Sequence, residues 1–480
     1  MEIIKLKHDR KRTKFDTKPG KALVGYLFAG AFTKMIGILT TPLFTRLLGG
    51  EEYGKLAFFL SSSGVISGII SPLVSGSQIY GILNQSEDNI NKIFLSGLLP
   101  ISGICGALGI LLFTLGLFFE EYLGFAVLLS LQIFFDSSVL FYLTLKRYEY
   151  KSRTVMLITL SEGVFSPLIS VFLIKTIGAS YFSRVIGLLL PPAIITAVIV
   201  VKALLSKEKI SPGISGALLK KSLPLLPVSV LGALGLQSDR LLTAFLLGNL
   251  AIGKYSVAHS LGVGLLFAVS AICSAFIPWM IRRLDSDKKE DIYTVSRQII
   301  TGLVSLSIFV IALSPEAMLI LAPPEYYEAL PAVMPIAMSS AFSFISSIST
   351  AALIHRDAGR EIFLCKLFSL LSGIFSGLIF IPLFGYFGAG LGVFITEGVS
   401  AVMSYRFLKK KENGTAPHGY GSLPAVLCLS MLAVLLPLLH GNLPLRILSL
   451  IIPSVIALNV MFSGRIPTVY REDQKNIPHL

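Results

Sequence analysis

Leu47-Leu48-Gly49-Gly50-Glu51-Glu52-Tyr53-Gly54-Lys55 is echoed 199 positions later by Leu246-Leu247-Gly248-Asn249-Leu250-Ala251-Ile252-Gly253-Lys254. Each copy closes one long apolar run and opens the next. Glycine supplies backbone conformations that a Cβ forbids, so both copies read as tight turns between helices. Six helices are expected between the copies, and an even number gives both the same orientation. The pair therefore predicts two parallel repeats related by an axis along the membrane normal, with a site expected between them.

The flanking runs are too apolar for water. Hydrophobic residues make up 54% of the 480 positions and charged residues 14%, and the mean hydropathy is +0.78. A soluble chain carries about a quarter charged residues, so lipid must cover this one. A spanning helix needs about twenty mostly apolar residues. Such segments lie at roughly 22–46, 53–80, 92–118, 122–144, 154–175, 180–201, 219–247, 254–281, 296–322, 328–353, 361–383, 386–408, 422–440 and 443–463. The expected fold class is an all-α integral membrane protein of about fourteen transmembrane helices.

Charge orients the chain. The net charge is +14, but the bases cluster in short links between apolar runs, as loops facing anionic headgroups do. That distribution argues against a nucleic-acid partner. With a cytoplasmic N-terminus, the outer links hold only Arg46, Lys55, Lys175, Arg184, Lys254 and Arg446. Lys34 and Arg240 fall within spans, and every other Lys and Arg is on the inside. Both termini are thus expected in the cytoplasm, with the protein multi-pass in the cell (cytoplasmic or inner) membrane. The run after the basic start is too long for a signal peptide and reads as a retained helix. Cys105, Cys273, Cys365 and Cys428 sit singly in apolar runs and suggest neither disulfide nor metal.

The expected organisation is a basic tail (1–21), an N-lobe of helices 1–6 (22–201) and a cytoplasmic link (202–218). A C-lobe of helices 7–12 (219–408) and a loop (409–421) follow, then helices 13 and 14 (422–463) and a tail (464–480). The link carries Lys207, Glu208, Lys209, Pro212 and Gly213. Pro72, Pro167, Pro191 and Pro192 inside helices, and Pro224 and Pro227 entering helix 7, each permit a kink. Gly64/Gly68 and Gly373/Gly377 have close-packing spacing.

Gly49–Lys55 and Gly248–Lys254 also fit G-x-x-x-x-G-K, the start of a phosphate-binding loop. Leu56 and Tyr255 stand where a magnesium-binding Ser or Thr is needed, the flanks are membrane helices, and both turns face outside. ATP binding is therefore not expected, nor is any cofactor or metal. The ionisable residues inside spans are more informative, because each costs about 2.5–3.5 kcal/mol on insertion scales. They are Lys34, Asp136, Glu162, Asp239, Arg240 and Glu397. One reading pairs them, for example Lys34 with Asp136 or Glu162, to fix helix packing. The other lines an aqueous cavity with them, the cations meeting a charged headgroup and the acids gating it or carrying ions. Asp239 and Arg240 are about 100° apart on a helix and are not expected to address one partner together. Short outer loops and the lack of a nucleophile elbow, zinc motif or nucleotide-binding domain argue for a transporter rather than an enzyme.

The stretch Thr41-Pro42-Leu43-Phe44-Thr45-Arg46-Leu47-Leu48-Gly49-Gly50-Glu51-Glu52-Tyr53-Gly54 resembles the helix 1–2 signature of Wzx-type polysaccharide (O-antigen) flippases. These belong to the multidrug/oligosaccharidyl-lipid/polysaccharide (MOP) exporter superfamily. Ser238-Asp239-Arg240-Leu241-Leu242, running to Gly253-Lys254-Tyr255-Ser256-Val257-Ala258, is similar to the family's helix 7–8 signature. Pro278, Glu325-Tyr326 and Ala329 also fit. The resemblance covers residues 20 to about 408. It implies a MATE-like two-lobed bundle that flips a polyprenyl-pyrophosphate-linked oligosaccharide for surface polysaccharide, with polysaccharide polymerase and other assembly proteins as further partners beside membrane lipids. By position in the helices, it points to Lys34 and Arg240 as cavity cations, with Arg46 at the outer mouth. It points to Asp239, Asp136, Glu162 and Glu397 as gating or ion-coupling acids. A MurJ-like lipid II flippase, a drug/cation antiporter and a membrane glycosyltransferase or polymerase stand as alternatives, as does a non-transporting scaffold for envelope assembly.

Overall fold

The computed structural model describes residues 19–74, 90–118, 123–206, 208–286 and 289–411, and every regular element among them is helical. In chain order they are α1 (Pro19–Val74), α2 (Ile90–Phe118), α3 (Leu123–Tyr148), α4 (Ser152–Thr176), α5 (Tyr181–Leu205) and α6 (Pro212–Ser222). These are followed by α7 (Leu226–Leu247), α8 (Asn249–Asp285), α9 (Lys289–Leu321), α10 (Val333–His355) and α11 (Gly359–Lys411). Short 3₁₀ turns occupy Leu223–Leu225 and Pro324–Ala332. Ten stretches among the described residues are long and apolar enough to cross a membrane. The expected helices 13 and 14 lie outside the described residues.

Two of the ten are too long for one crossing. At about 1.5 Å per residue, the 56 residues of α1 and the 53 of α11 would each run about 80 Å, against a hydrocarbon core of about 30 Å. Each breaks at a glycine with positive φ, Gly49 (φ 72°) in α1 and Gly385 (φ 57°) in α11, which leaves two legs of spanning length. The α7–α8 turn uses the same device at Gly248 (φ 88°, ψ 179°), close to the φ 72°, ψ 171° of Gly49. The two copies of the repeated turn thus share a conformation as well as a sequence. Of the expected link, residues 202–205 complete α5 and residues 212–218 are helical. Pro212 starts α6 at a position where its missing N–H costs nothing. Ser96 ties that start to α2, its hydroxyl accepting from Ser211 N and its carbonyl from Ser215 Oγ. Pro224 then breaks the path into the turn before α7.

The chain forms two compact units. The first contains α2, α3, α4, α6 and most of α5, with residues 19–40 and 70–74 of α1. Here Phe94 stacks on Phe141 and meets Tyr142 edge-on, joining α2 to α3. The Arg184 guanidinium reaches from α5 to the Ser170 hydroxyl of α4 at 2.6 Å.

The second unit contains residues 41–69 of α1, residues 179–182 and α7 to α11. Its core joins α8, α9, α10 and α11 around Phe276, Met280, Ile308, Phe344 and Ile348. The spacing pairs Gly64/Gly68 and Gly373/Gly377 clamp α7 from two sides. Gly64 and Gly68 lie against Gln237 and Ala233, while Gly373 and Gly377 lie against Ser238 and Leu242. Without Cβ atoms the three helices approach closely, and dispersion replaces the hydrophobic drive that lipid cannot supply.

Surface and interior are distributed as lipid demands. Ile110, Phe172 and Phe245 are 65–75% exposed. Buried hydroxyls bond across helices instead, Ser307 to Ala337 O and Ser346 to Ser400. With no water in the hydrocarbon, such polar groups must be satisfied internally.

Candidate functional site

Gly248 turns the chain from α7 into α8 in a single residue, so positions at similar distances on either side of it come face to face. Asp239 and Arg240 on α7 therefore meet Tyr255 and His259, which share one face of α8 at i and i+4 spacing. Tyr255 donates to Asp239 Oδ2 at 2.7 Å. His259 Nε2 lies 3.2 Å from the same oxygen, and Arg240 Nη2 lies 2.6 Å from His259 Nδ1. Arg240 Nη1 reaches Gln237 Oε1 at 3.5 Å. Asp239, Tyr255 and His259 are buried, while Arg240 is partly exposed.

The donors and acceptors fix the proton positions. A guanidinium has only donors, so Nδ1 of His259 must accept. The neutral ring then carries its proton on Nε2 and donates to Asp239. Asp239 and Arg240 thus do address one partner, contrary to their 100° separation. The imidazole offers a nitrogen on each edge, and the long arginine side chain bends round to the second. Charge is compensated within the cluster, as burial in a low dielectric requires. One buried donor is left over: Arg240 Nε has no hydrogen-bond partner among the described residues. Such a donor costs about 1–3 kcal/mol, so the resting seat of this guanidinium is incomplete.

The remaining sequence candidates are dispersed. Arg46 is exposed and donates to Pro42 O and, through both terminal nitrogens, to Ile320 O at 3.3 Å. Thr45 donates to Leu321 O at 3.0 Å. Both side chains cap the C-terminus of α9, whose last carbonyls lack helical partners and favour a cation. Lys34 lies in α1, and its side chain is outside the described residues. In the first unit, Asp136 accepts from Gln132 at 2.7 Å, and Glu162 lies within electrostatic reach of Asp136. In the second, Glu397 accepts from Ser343 and feels the charge of Lys366. Ser343 also lines a cleft of about 520 Å³ between α8 and α10 with Ser270, Cys273, Ser274 and Ser347.

Tyr255 and His259 were not among the sequence candidates. Their signal was present in outline: an i, i+4 pair of polar rings about two helical turns and three helical turns beyond a one-residue turn, bracketing the distance at which Asp239 lies before it. The phosphate-loop lysines have acidic partners instead, Lys55 with Glu52 and Lys254 with Glu328, each at 2.8 Å. The signature segments converge. Tyr53 meets buried Tyr326 edge-on at 6.2 Å, and Gly54 packs on Asn249.

This architecture has solved counterparts. The chain is similar to an inward-closed lipid II flippase MurJ at 15% identity, covering 93% of this chain and 99% of that one, with a TM-score of 0.59. It is also similar to an inward-facing multidrug resistance MATE family transporter of the MOP superfamily at 13% identity, covering 83% and 100%, with a TM-score of 0.64. The outward-facing form of such a transporter matches at 14% identity over 84% and 99%, with a TM-score of 0.58. The protein is a multi-pass membrane protein with the fold of these transporters. More particularly, the family model described as polysaccharide biosynthesis protein matches residues 22–284, over half of the chain, and the chain belongs to that family. No curated protein matches.

Proposed function

We propose that this protein is a Wzx-type flippase that moves a polyprenyl-pyrophosphate-linked oligosaccharide to the outer leaflet of the cytoplasmic membrane by alternating access. In this reading it has fourteen spans, two parallel six-helix repeats with an appended pair, and both termini inside. The observation that carries it is Arg240, a cation held within a span by a hydrogen-bonded cluster with its buried Nε donor unspent. A pyrophosphate offers the acceptors that such a group lacks. Lys34 is the second cation, and Asp136, Glu162, Asp239 and Glu397 are gating or coupling acids. The serine hydroxyls of the α8–α10 cleft suit sugar hydroxyls.

Energetics support an anionic cargo. Each negative charge moved outward across an inside-negative membrane gains about 2.3 kcal/mol per 100 mV, so no ATPase is required. The test is leaflet accessibility of lipid-linked glycan in cells lacking the protein, complemented with wild type, Lys34→Ala or Arg240→Ala. Cytoplasmic-side accumulation that wild type reverses and Arg240→Ala does not is the expected result. An unchanged distribution without the protein would remove the reading. The fold likeness to a lipid II flippase over 93% of the chain makes lipid II the second cargo to measure in the same cells.

A further inference from the structure

The Arg240–His259 contact cannot survive a change in the proton count of the ring. Nδ1 of His259 has one lone pair, which Arg240 occupies at 2.6 Å. A proton at Nδ1 turns that acceptor into a donor and sets two positive groups against each other. Asp239 at 3.2 Å holds the opposite nitrogen and would keep the imidazolium in place. The guanidinium is therefore the partner that must leave. The charged or titratable groups bearing on the ring, among the described residues, are Asp239 and Arg240 from α7 and Tyr255 from α8. Tyr255 gives its only proton to Asp239.

We propose that His259 is a positioning residue whose protonation controls Arg240: neutral, it docks the guanidinium on α8, and with a proton on Nδ1 it releases it to an anionic headgroup. The headgroup is the pyrophosphate of the flippase reading, on which this last clause rests. Uptake of a proton would then be coupled to exposure of the binding cation. Arg240 is only partly buried and its Nε is unpartnered in the docked state, so departure leaves few bonds behind. Asp239 and Tyr255 stay paired in both states and hold the hairpin together.

The full-length protein in lipid nanodiscs, labelled with ¹⁵N at histidine, provides the direct test, with His259→Gln assigning the signal. At about pH 8 the His259 ring should be protonated at Nε2 alone, and Arg240→Ala should shift its Nδ1 resonance. On acidification both nitrogens should carry protons. In parallel, wild type should bind a short-chain polyprenyl pyrophosphate about tenfold more tightly at the lower pH. His259→Phe cannot accept from Arg240 and should bind at the higher level at both pH values. His259→Gln accepts through its carbonyl without titrating and should stay at the lower level. A ring protonated at Nδ1 at about pH 8 would overturn the proposal, as would an Nδ1 resonance indifferent to Arg240. Lower thermal stability of His259→Phe with a wild-type pH profile would make His259 a packing residue and also overturn it. If His259→Phe fails to fold, His259→Gln and the wild-type spectra still decide. The expected spectra without probe binding at any pH would uphold the seat and its release while counting against the flippase reading.

Discussion

Gly54 and Gly253 meet at a point where neither helix has room for a side chain. A Cβ on Gly253 would lie 3.0 Å from the Gly54 nitrogen and 2.8 Å from the Gly50 carbonyl oxygen, and a Cβ on Gly54 would collide with the Asn249 carbonyl. The contact is reciprocal. The offset of the repeated turn carries Gly54 onto Gly253 and Gly50 onto Asn249, so each glycine packs on the equivalent position of the other copy. Within the second unit, the two turns thus pack about a local pseudo-two-fold relationship.

Alanine at either glycine should separate the two helix starts. Overpacking costs about 1–3 kcal/mol, so Gly54→Ala and Gly253→Ala should each lower the melting temperature in detergent by several degrees. Gly232→Ala, with nothing within 4 Å of its Cβ position, is the control and should be neutral or slightly stabilising. Equal melting temperatures for all three would refute the close approach.

Removing Asp239 should cost more than removing its hydrogen-bond donor. Tyr255→Phe forfeits one bond to a charged group, about 1.5–3 kcal/mol. Asp239→Ala strips the buried counter-charge from Arg240 and the hydrogen-bond acceptor from His259, about 3–5 kcal/mol. Thermal unfolding of the two variants and their double mutant measures the coupling. Additive losses would show that the groups do not act as one network.

Arg46→Ala should act on stability rather than on substrate. Its guanidinium caps α9 at Ile320, and loss of a charge-assisted cap costs about 1–2 kcal/mol. The melting temperature should fall while the concentration of lipid-linked glycan giving half-maximal flipping stays unchanged. A shift in that concentration without a loss of stability would return Arg46 to the substrate path.

The two phosphate-loop lookalikes should be inert to nucleotide. Lys254 pairs with a Glu328 side chain that is 66% exposed, so Lys254→Met should cost no more than about 1 kcal/mol. ATP with magnesium should leave the melting temperature of wild type, Lys55→Met and Lys254→Met unaltered. Stabilisation by nucleotide that either variant abolishes would reverse the assignment of these turns.

Much of the architecture is legible in sequence because lipid is an unforgiving solvent. A backbone in hydrocarbon must satisfy itself within the helix, so apolar runs and helices coincide, and Gly49 and Gly248 mark where the chain turns. The same reasoning located Asp239 and Arg240, since a charge inside a span is costly enough to stand out. It did not place helix at 212–218, where the composition is that of a link and the contacts with Ser96 come from a helix more than a hundred positions earlier.

Local pattern alone determined that this protein is a bundle of membrane helices with two matching turns and a few charges within its spans and at their ends. Tertiary structure decided what those charges do. Arg46 finds its acceptor 274 positions away, a distance no helical periodicity encodes. Gly54 and Gly253 become one contact only when the two turns are brought together. Asp239 and Arg240, which diverge along their own helix, converge because a second helix offers a ring with a nitrogen on each edge. Hydropathy is a property of each segment with its solvent, whereas a shared partner is a property of two segments with each other.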